Sequence, residues 1–257
     1  MLAKRLGGIM ATKALTSAII LAGGSGTRFK KPGGKQTVVL GDKPMLTWSL
    51  KAFDNSENIA EIILVCPKDK QDEYMSIAVE PFNIKKPVKL AEAGMIRQES
   101  ALHGLEVTSD DLPIVAIHDG ARPHITTQTI DHAINELKGN YEIDGAIVGF
   151  PCIDTIKVLE DGLIAGTPDR SVLWTAHTPQ VFRKAIYKEA HVAALADGFV
   201  GTDDSSLVER LGGRIAAING TRNNIKLTIP EDYELLISSI RTMLGSSIEI
   251  ETGTNGE

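Results

Sequence analysis

The chain contains only two cysteines in 257 residues, Cys66 and Cys152, far apart and without a further cysteine or histidine at metal-ligand spacing. That excludes a disulfide framework and a zinc site of the usual pattern. Each lies in an apolar stretch, where a free thiol behaves as a small hydrophobe, and the usage suits a reducing cytoplasm. No apolar run approaches the ~18 residues of a membrane span, so no membrane partner is expected. Positive charge is not in excess either: 27 Lys and Arg against 33 Asp and Glu leave a formal charge of −6. Nucleic-acid binding usually shows as a basic surface, and none is expected here. Any phosphate-binding site must be local.

What is present is ordinary for a globular protein, with 42% hydrophobic and 23% charged residues. No internal repeat or second apolar core is visible, so a single domain over residues 16–243 is expected. Residues 1–15 carry Lys4, Arg5 and Lys13 without an acid. They lack the longer apolar core of a signal peptide and read as an extension, with Met10 as an alternative start. Residues 245–257 are polar and glycine-containing, and read as a flexible tail.

Short apolar runs at 17–22, 59–66, 88–91, 114–117, 146–150 and 215–218 have the look of buried strands. Between them, helices are expected at 45–53, 97–107 and from a Thr126 cap to Gly139. Two more are expected from a Thr202-Asp-Asp204 cap through Leu211, and onward from Pro230. Strands alternating with helices predict an α/β, three-layer Rossmann-like sandwich with a mostly parallel sheet. Residues 152–174 break the rhythm: β-like pieces flank a turn at Asp161-Gly162, as in a projecting β-arm that embraces a partner subunit.

Ligands of open α/β sheets bind beyond the carboxyl ends of strands, and Leu21-Ala-Gly-Gly-Ser-Gly-Thr-Arg28 lies at such an end. It is not a dinucleotide fingerprint, because Phe29 stands where the third glycine belongs. Nor is it a Walker A loop, because Gly34-Lys35 is followed by Gln36. Its glycines either make a tight turn or bring backbone N–H groups onto phosphate oxygens. Arg28, with Lys35 seven residues later, favours the second reading, since nucleotidyl transfer builds negative charge on phosphorus and on the leaving pyrophosphate.

Asp119 follows a buried strand at the same sheet edge. It is either a turn residue or one ligand of a Mg²⁺ ion whose other ligands are triphosphate oxygens and waters. Arg122 can pair with it or touch substrate, and His118 reads as packed. Gly94, Arg97 and Ser100 can present donors and acceptors to a base edge, although Ser100 is equally an ordinary helix serine. Thr155, Arg170, Thr178 and Lys226 are further candidates that spacing alone does not distinguish from surface residues.

Taken together, these blocks resemble the 2-C-methyl-D-erythritol 4-phosphate cytidylyltransferase family over residues 17–243. The likeness rests on 21–28, Lys35-Gln36, His118-Asp-Gly-Ala-Arg-Pro123, Asp154-Thr155, Asp169-Arg170 and Leu173-Trp174. It continues through Thr178-Pro-Gln180, Thr202-Asp-Asp204, Asn224-Ile-Lys226 and Pro230-Glu-Asp232. The resemblance implies a homodimer with interlocking arms, the substrates CTP and a sugar-alcohol phosphate, and Mg²⁺ held by Asp119. It implies that Arg28 and Lys35 stabilise the transition state, with Arg170 and Lys226 also in the catalytic set. The nucleotide would meet Ala22, Gly23, Gly24, Gly26, Arg28, Lys35, Gly94, Arg97, Ser100, Asp119 and Gly120. The acceptor would meet Arg122, Thr155, Thr178 and Lys226, with Arg170 from the partner chain.

Gly23, Gly34, Met95 and Asn223 depart from the family pattern. Ribitol 5-phosphate cytidylyltransferase is the nearest rival, and a catalytically inactive CTP-binding regulator is the alternative of another class. Leu173-Trp174 and the Thr202-Asp-Asp204 block lean towards the methylerythritol enzyme, and Arg28, Lys35 and Asp119 speak against lost catalysis.

Overall fold

The computed structural model describes residues 14–24 and 35–243. In chain order the elements are β1 (Thr16–Leu21), the two-residue strands β2 (Val39–Leu40) and β3 (Lys43–Pro44), α1 (Met45–Asp54), and β4 (Ile59–Cys66). Next come α2 (Gln71–Tyr74), which widens into a further turn over Met75–Val79, then β5 (Val88–Glu92), α3 (Arg97–Glu106) and β6 (Ile114–Asp119). They are followed by α4 (Thr127–Gly139), β7 (Gly145–Pro151), β8 (Val158–Glu160), β9 (Leu163–Gly166) and β10 (Trp174–Arg183). The last elements are α5 (Lys184–Ala196), α6 (Asp204–Arg210), β11 (Ile215–Asn219) and α7 (Pro230–Met243).

Seven strands form one sheet in the order β11-β7-β10-β6-β1-β4-β5. β10 runs antiparallel to both its neighbours, and the other pairs are parallel. The reason for the unbroken apolar runs is visible in β1. Ala18 and Ile20 enter a cluster with Leu50 and Phe53 of α1 and Ile130 and Ile134 of α4. Ile19 and Leu21 enter the opposite cluster with Ala101 and Leu105 of α3, Tyr187 and Ala190 of α5, and Leu207 of α6. A sheet covered on both faces cannot alternate with polar residues. This is the expected three-layer α/β arrangement with a mostly parallel sheet.

A third cluster lies beside the site, where Leu40 and Met45 meet Ala121, Leu227 and Leu236, seating α7 near the carboxyl edge of the sheet. Capping agrees with the sequence: Thr126 Oγ1 accepts from Thr129 N–H at 3.2 Å, and Asp203 Oδ1 accepts from Ser206 N–H at 3.0 Å. β8 and β9 form a separate antiparallel hairpin whose Asp161-Gly162 turn has positive φ at both residues. Such a turn matches the right-handed twist of paired strands.

The short β2, β3 and α2 escape the sequence reading, as do two longer elements, β10 and α5. β10 contains Pro179, which argues against a central strand, and its pairing with β7 slips between Ala176 and Gln180. α5 carries a usable signal, because its buried Tyr187, Ala190, His191 and Ala194 recur at three- and four-residue spacing. The extensions expected at 1–15 and 245–257 fall almost wholly outside the described residues, as do Gly26 and Arg28.

Candidate active site

After β1 the chain moves outward to β4 and β5, then returns to place β6 on the other side of β1. The carboxyl ends of β1 and β6 therefore flank the point where strand order reverses, the usual crevice for a ligand in this architecture. Leu21 and Asp119 are register partners there. The glycine loop leaves from the first and a carboxylate ends the second.

Asp119 is buried and surrounded by cations. Its Oδ1 accepts from Arg97 Nε at 3.1 Å, and its Oδ2 accepts from Lys226 Nζ at 2.7 Å. Arg122 Nε stands 3.8 Å from Oδ2. Burial opposes the charged carboxylate, but Arg97, Lys226 and Arg122 outweigh it and hold the group well below the usual carboxylate range. For Arg97, burial again opposes charge, and Asp204 and Asp119 more than offset it, so the guanidinium is held above its ordinary range. Arg122 is lowered by burial, with Arg97 adding to the effect and Asp119 opposing it.

Thr178 ties this group to the sheet. Its Oγ1 accepts from Asp119 N–H at 3.1 Å and meets His118 Nδ1 at 3.0 Å. Burial pushes His118 down to about 3 despite the adjacent Asp119, so its ring is neutral near pH 7 and packs 5.2 Å from Phe53. Arg122 Nη1 donates to Asn224 O at 2.7 Å, and Asn224 Nδ2 donates to Thr178 O at 2.9 Å. These two bonds carry the Asn224-Ile-Lys226 segment onto the strand ends.

A cleft of about 310 Å³ opens here, lined by Arg97, Asp119, Arg122, Thr178 and Lys226, with His177 and Gln180. Among the described residues, Arg122 Nε, His177 Nδ1 and Asn224 Oδ1 are buried without a hydrogen-bond partner. Unpaired polar atoms of this kind are costly, and the first two belong to cleft-lining side chains. Burial, together with Arg122, brings His177 down to about 4. It therefore meets a ligand as a neutral imidazole.

A second cleft, about 520 Å³, lies across the ends of β4 and β5 and is lined by Gly23, Pro67, Lys68, Glu92, Ala93 and Gly94. A Cβ at Gly23 would overlap Ala93 Cβ, so the loop passes this wall only as glycine. That gives Gly23 a physical reason. Ser100 Oγ accepts from Gly94 N–H at 3.0 Å and donates to Ile96 O at 3.1 Å, shaping the turn beside the cleft.

Lys35 Nζ donates to Leu227 O at 3.0 Å, the residue after Lys226. Ala22 N–H bonds Val65 O at 2.7 Å and Gly120 N–H bonds Leu21 O at 2.9 Å, so both amides are used within the fold. Gly24 lies close to the Lys35 stem. Thr155 and Arg170 are exposed on the arm segment and are not among the residues that line either cleft; there Arg170 donates to Ile153 O. Sequence reasoning passed over Gln180, which bonds Asp203 at 2.8 Å and Ser205 N–H at 3.0 Å. The Thr178-Pro-Gln180 block was its only signal.

A hard divalent cation fits this edge in one respect. Asp119 offers an ionised oxygen at the sheet edge, where substrate phosphates would supply the remaining ligands. Among the described residues no group of three or more His, Cys, Asp or Glu stands ready to hold a metal, so a resident all-protein site is not built here.

The family profile for 2-C-methyl-D-erythritol 4-phosphate cytidylyltransferase (IspD) matches residues 16–240. A protein of that name from Caldanaerobacter subterraneus is 46% identical over 217 residues, covering 84% of this chain and 94% of the relative. This chain belongs to the 2-C-methyl-D-erythritol 4-phosphate cytidylyltransferase family. A cytidylyltransferase of the same name from Syntrophotalea carbinolica is 40% identical over 218 residues, 84% of this chain and 92% of that one. Among solved structures, the 4-diphosphocytidyl-2C-methyl-D-erythritol synthase from Anaerococcus prevotii superposes with a TM-score of 0.77 at 27% identity. That match covers 89% of this chain and 99% of the other. The Thermus thermophilus cytidylyltransferase superposes at 0.70 with 28% identity, over 88% and 98%. The cation-ringed aspartate and the glycine wall thus belong to a cytidylyltransferase.

Proposed function

We propose that this chain transfers the cytidylyl group of CTP to 2-C-methyl-D-erythritol 4-phosphate, giving 4-diphosphocytidyl-2-C-methyl-D-erythritol and pyrophosphate. The observation that carries the reading is the buried Asp119 with Arg97, Lys226 and Arg122 around it at the switch point. A phosphate oxygen of the acceptor attacks the α-phosphorus of CTP as the bond to the β-phosphate breaks. The acceptor phosphate is already anionic near neutral pH, so no general base is needed, in keeping with the neutral His118. The work is positioning and charge compensation.

In this reading CTP lies along the glycine loop, its base in the cleft walled by Gly23 and Gly94 and its phosphates towards Lys35, Arg97 and Asp119. Arg28 joins Lys35 at the transferring phosphate. The acceptor takes the cleft of Arg122, Thr178 and Lys226. Mg²⁺, when bound, neutralises triphosphate charge, and Asp119 is the residue that would hold it.

The second subunit enters through the arm. Val158, Leu159, Leu163, Ile164 and Val172 are exposed in one protomer, Leu163 at 75%. Apolar side chains clustered on a projecting segment call for a covering surface, and a second copy of the chain is the partner we infer. Arg170 and Thr155 would reach the partner's acceptor cleft on such an arm. Residues 16–243 act as one domain in this scheme, and the compartment is the cytoplasm.

The deciding experiment is pyrophosphate release from CTP and Mg²⁺ with methylerythritol phosphate and ribitol 5-phosphate compared in parallel. Release with methylerythritol phosphate alone supports the proposal. Release mainly with ribitol phosphate keeps the mechanism and overturns the acceptor. CTP binding without release from either acceptor points to a nucleotide-binding regulator.

A further inference from the structure

The first residue of α6 carries no part of the chemistry above, yet its side chain is tied directly to the site. Asp204 is 1% exposed. One carboxylate oxygen accepts from Tyr187 Oη at 2.7 Å, and the other accepts from Arg97 Nη1 at 2.7 Å. The same guanidinium uses its Nε to reach Asp119 Oδ1 at 3.1 Å. Arg97 is thus gripped at two separate nitrogens by two carboxylates that lie 85 positions apart in sequence (204 − 119).

We propose that Asp204 is a positioning residue for nucleotide binding, acting through Arg97. A guanidinium has five N–H donors in a fixed planar fork. With only Asp119 as partner, it could swing about that single contact and collapse fully onto the carboxylate. Asp204 holds Nη1, a different nitrogen from the Nε that meets Asp119, and so fixes the orientation of a guanidinium that lines the cleft. Tyr187, on α5, fixes Asp204 in turn, and its ring stacks on Phe182 of β10 with centroids 5.0 Å apart. The chain Tyr187, Asp204, Arg97, Asp119 therefore ties the helical layer to the carboxylate at the end of β6 by direct hydrogen bonds.

This inference rests on the proposed reading of Arg97 as a nucleotide contact. Its test is a double-mutant cycle on Asp204→Asn and Arg97→Gln in the full chain. Kinetics use CTP, Mg²⁺ and methylerythritol phosphate, and CTP binding is followed separately by calorimetry. The expected result is a rise of about ten-fold or more in the KM for CTP with Asp204→Asn, and less than two-fold for the acceptor. If Asp204 works through Arg97, the double variant is no worse than Arg97→Gln alone, because contacting residues are non-additive. Additive losses, or equal damage to both substrates' KM, overturn the proposal. Should Asp204→Asn fail to fold, Tyr187→Phe serves: it removes the hydrogen bond that fixes Asp204 and leaves Arg97 and Asp119 in place. The same CTP-selective loss is then expected, and an unchanged KM for CTP overturns the proposal. A wild-type chain that binds CTP without releasing pyrophosphate would count against the catalytic reading alone, since the cycle can still be completed on CTP affinity.

Discussion

Lys226 and Asp119 are 107 positions apart in sequence, and Lys226 Nζ donates to Asp119 Oδ2 at 2.7 Å. Asp119 cannot be separated from its cations, because burying a carboxylate alone costs several kcal/mol and removing one partner exposes that cost. The site is therefore charged and partly self-neutralised by ion pairs within the chain itself.

Replacing Lys35 with alanine should cut turnover by about 10²-fold or more, the scale of losing one charge-stabilising donor. Losing its hydrogen bond to Leu227 O should lower the unfolding free energy by ~1 kcal/mol. Stopped assays of pyrophosphate release beside a thermal melt check this. A folded Lys35→Ala protein with near-normal turnover would remove Lys35 from the transition state.

Asp119→Asn should raise the Mg²⁺ concentration for half-maximal turnover by about ten-fold or more, since an amide is a far weaker ligand for a hard cation. The same change leaves Arg97, Arg122 and Lys226 facing one another without their anion. A Mg²⁺ titration that superposes on wild type would show that the carboxylate serves only the ion pairs.

If Arg170 acts across the subunit interface, a heterodimer of one Lys35→Ala protomer and one Arg170→Ala protomer has one complete site and one doubly damaged site. Co-expression with two affinity tags and purification of the mixed dimer should therefore recover activity that neither homodimer has. No recovery would place Arg170 in its own protomer's site.

Gly104 sits on the face of α3 that meets the sheet, where an added Cβ would lie 2.5 Å from Ile19 Cγ2 and 2.8 Å from Val65 Cγ2. Gly104→Ala gains helix propensity but overpacks this contact, and the expected net loss is about 1–3 kcal/mol. It should also weaken CTP binding, because α3 carries Arg97 and Ser100. Chemical denaturation and calorimetry together test both parts.

Glu61 lies at the opposite edge of the sheet, accepting from Ser17 Oγ at 2.8 Å, from Ser109 N–H and Oγ at 2.7 Å each, and from Lys89 at 2.8 Å. Burial raises its pKa, but these donors overcome that effect and bring it down to about 2 from 4.5. A carboxyl depressed on folding contributes stability that is complete above about 4.5 and is lost as pH falls through about 2. Glu61→Gln should lower the melting temperature at pH 7, and the gap to wild type should close as pH drops through that window. A constant gap from pH 7 to pH 2 would contradict the assignment.

Much of this molecule was legible in its residues because the signals are local. An unbroken apolar run needs only its own composition to declare a strand covered on both faces, and the expected 59–66 strand coincides with β4. Thr126 and Asp203 declare helix starts through bonds made within three residues. β10 was hidden because Pro179 and its polar neighbours contradict strand chemistry locally. Only the partners β6 and β7 on either side compensate. α5 was legible and simply passed over.

By itself the sequence determined the α/β layering, the glycine loop at the end of β1, the carboxylate at the end of β6, and the ordered blocks that mark a cytidylyltransferase. Each depends on neighbours along the chain, where backbone geometry fixes who can meet whom. Only the tertiary structure decided which cations reach Asp119, that Arg97 is shared between Asp119 and Asp204, and that Thr155 and Arg170 line neither cleft. Those outcomes depend on strand order and on how the helices seat on the sheet. They are sums of many burial terms that no spacing of residues encodes.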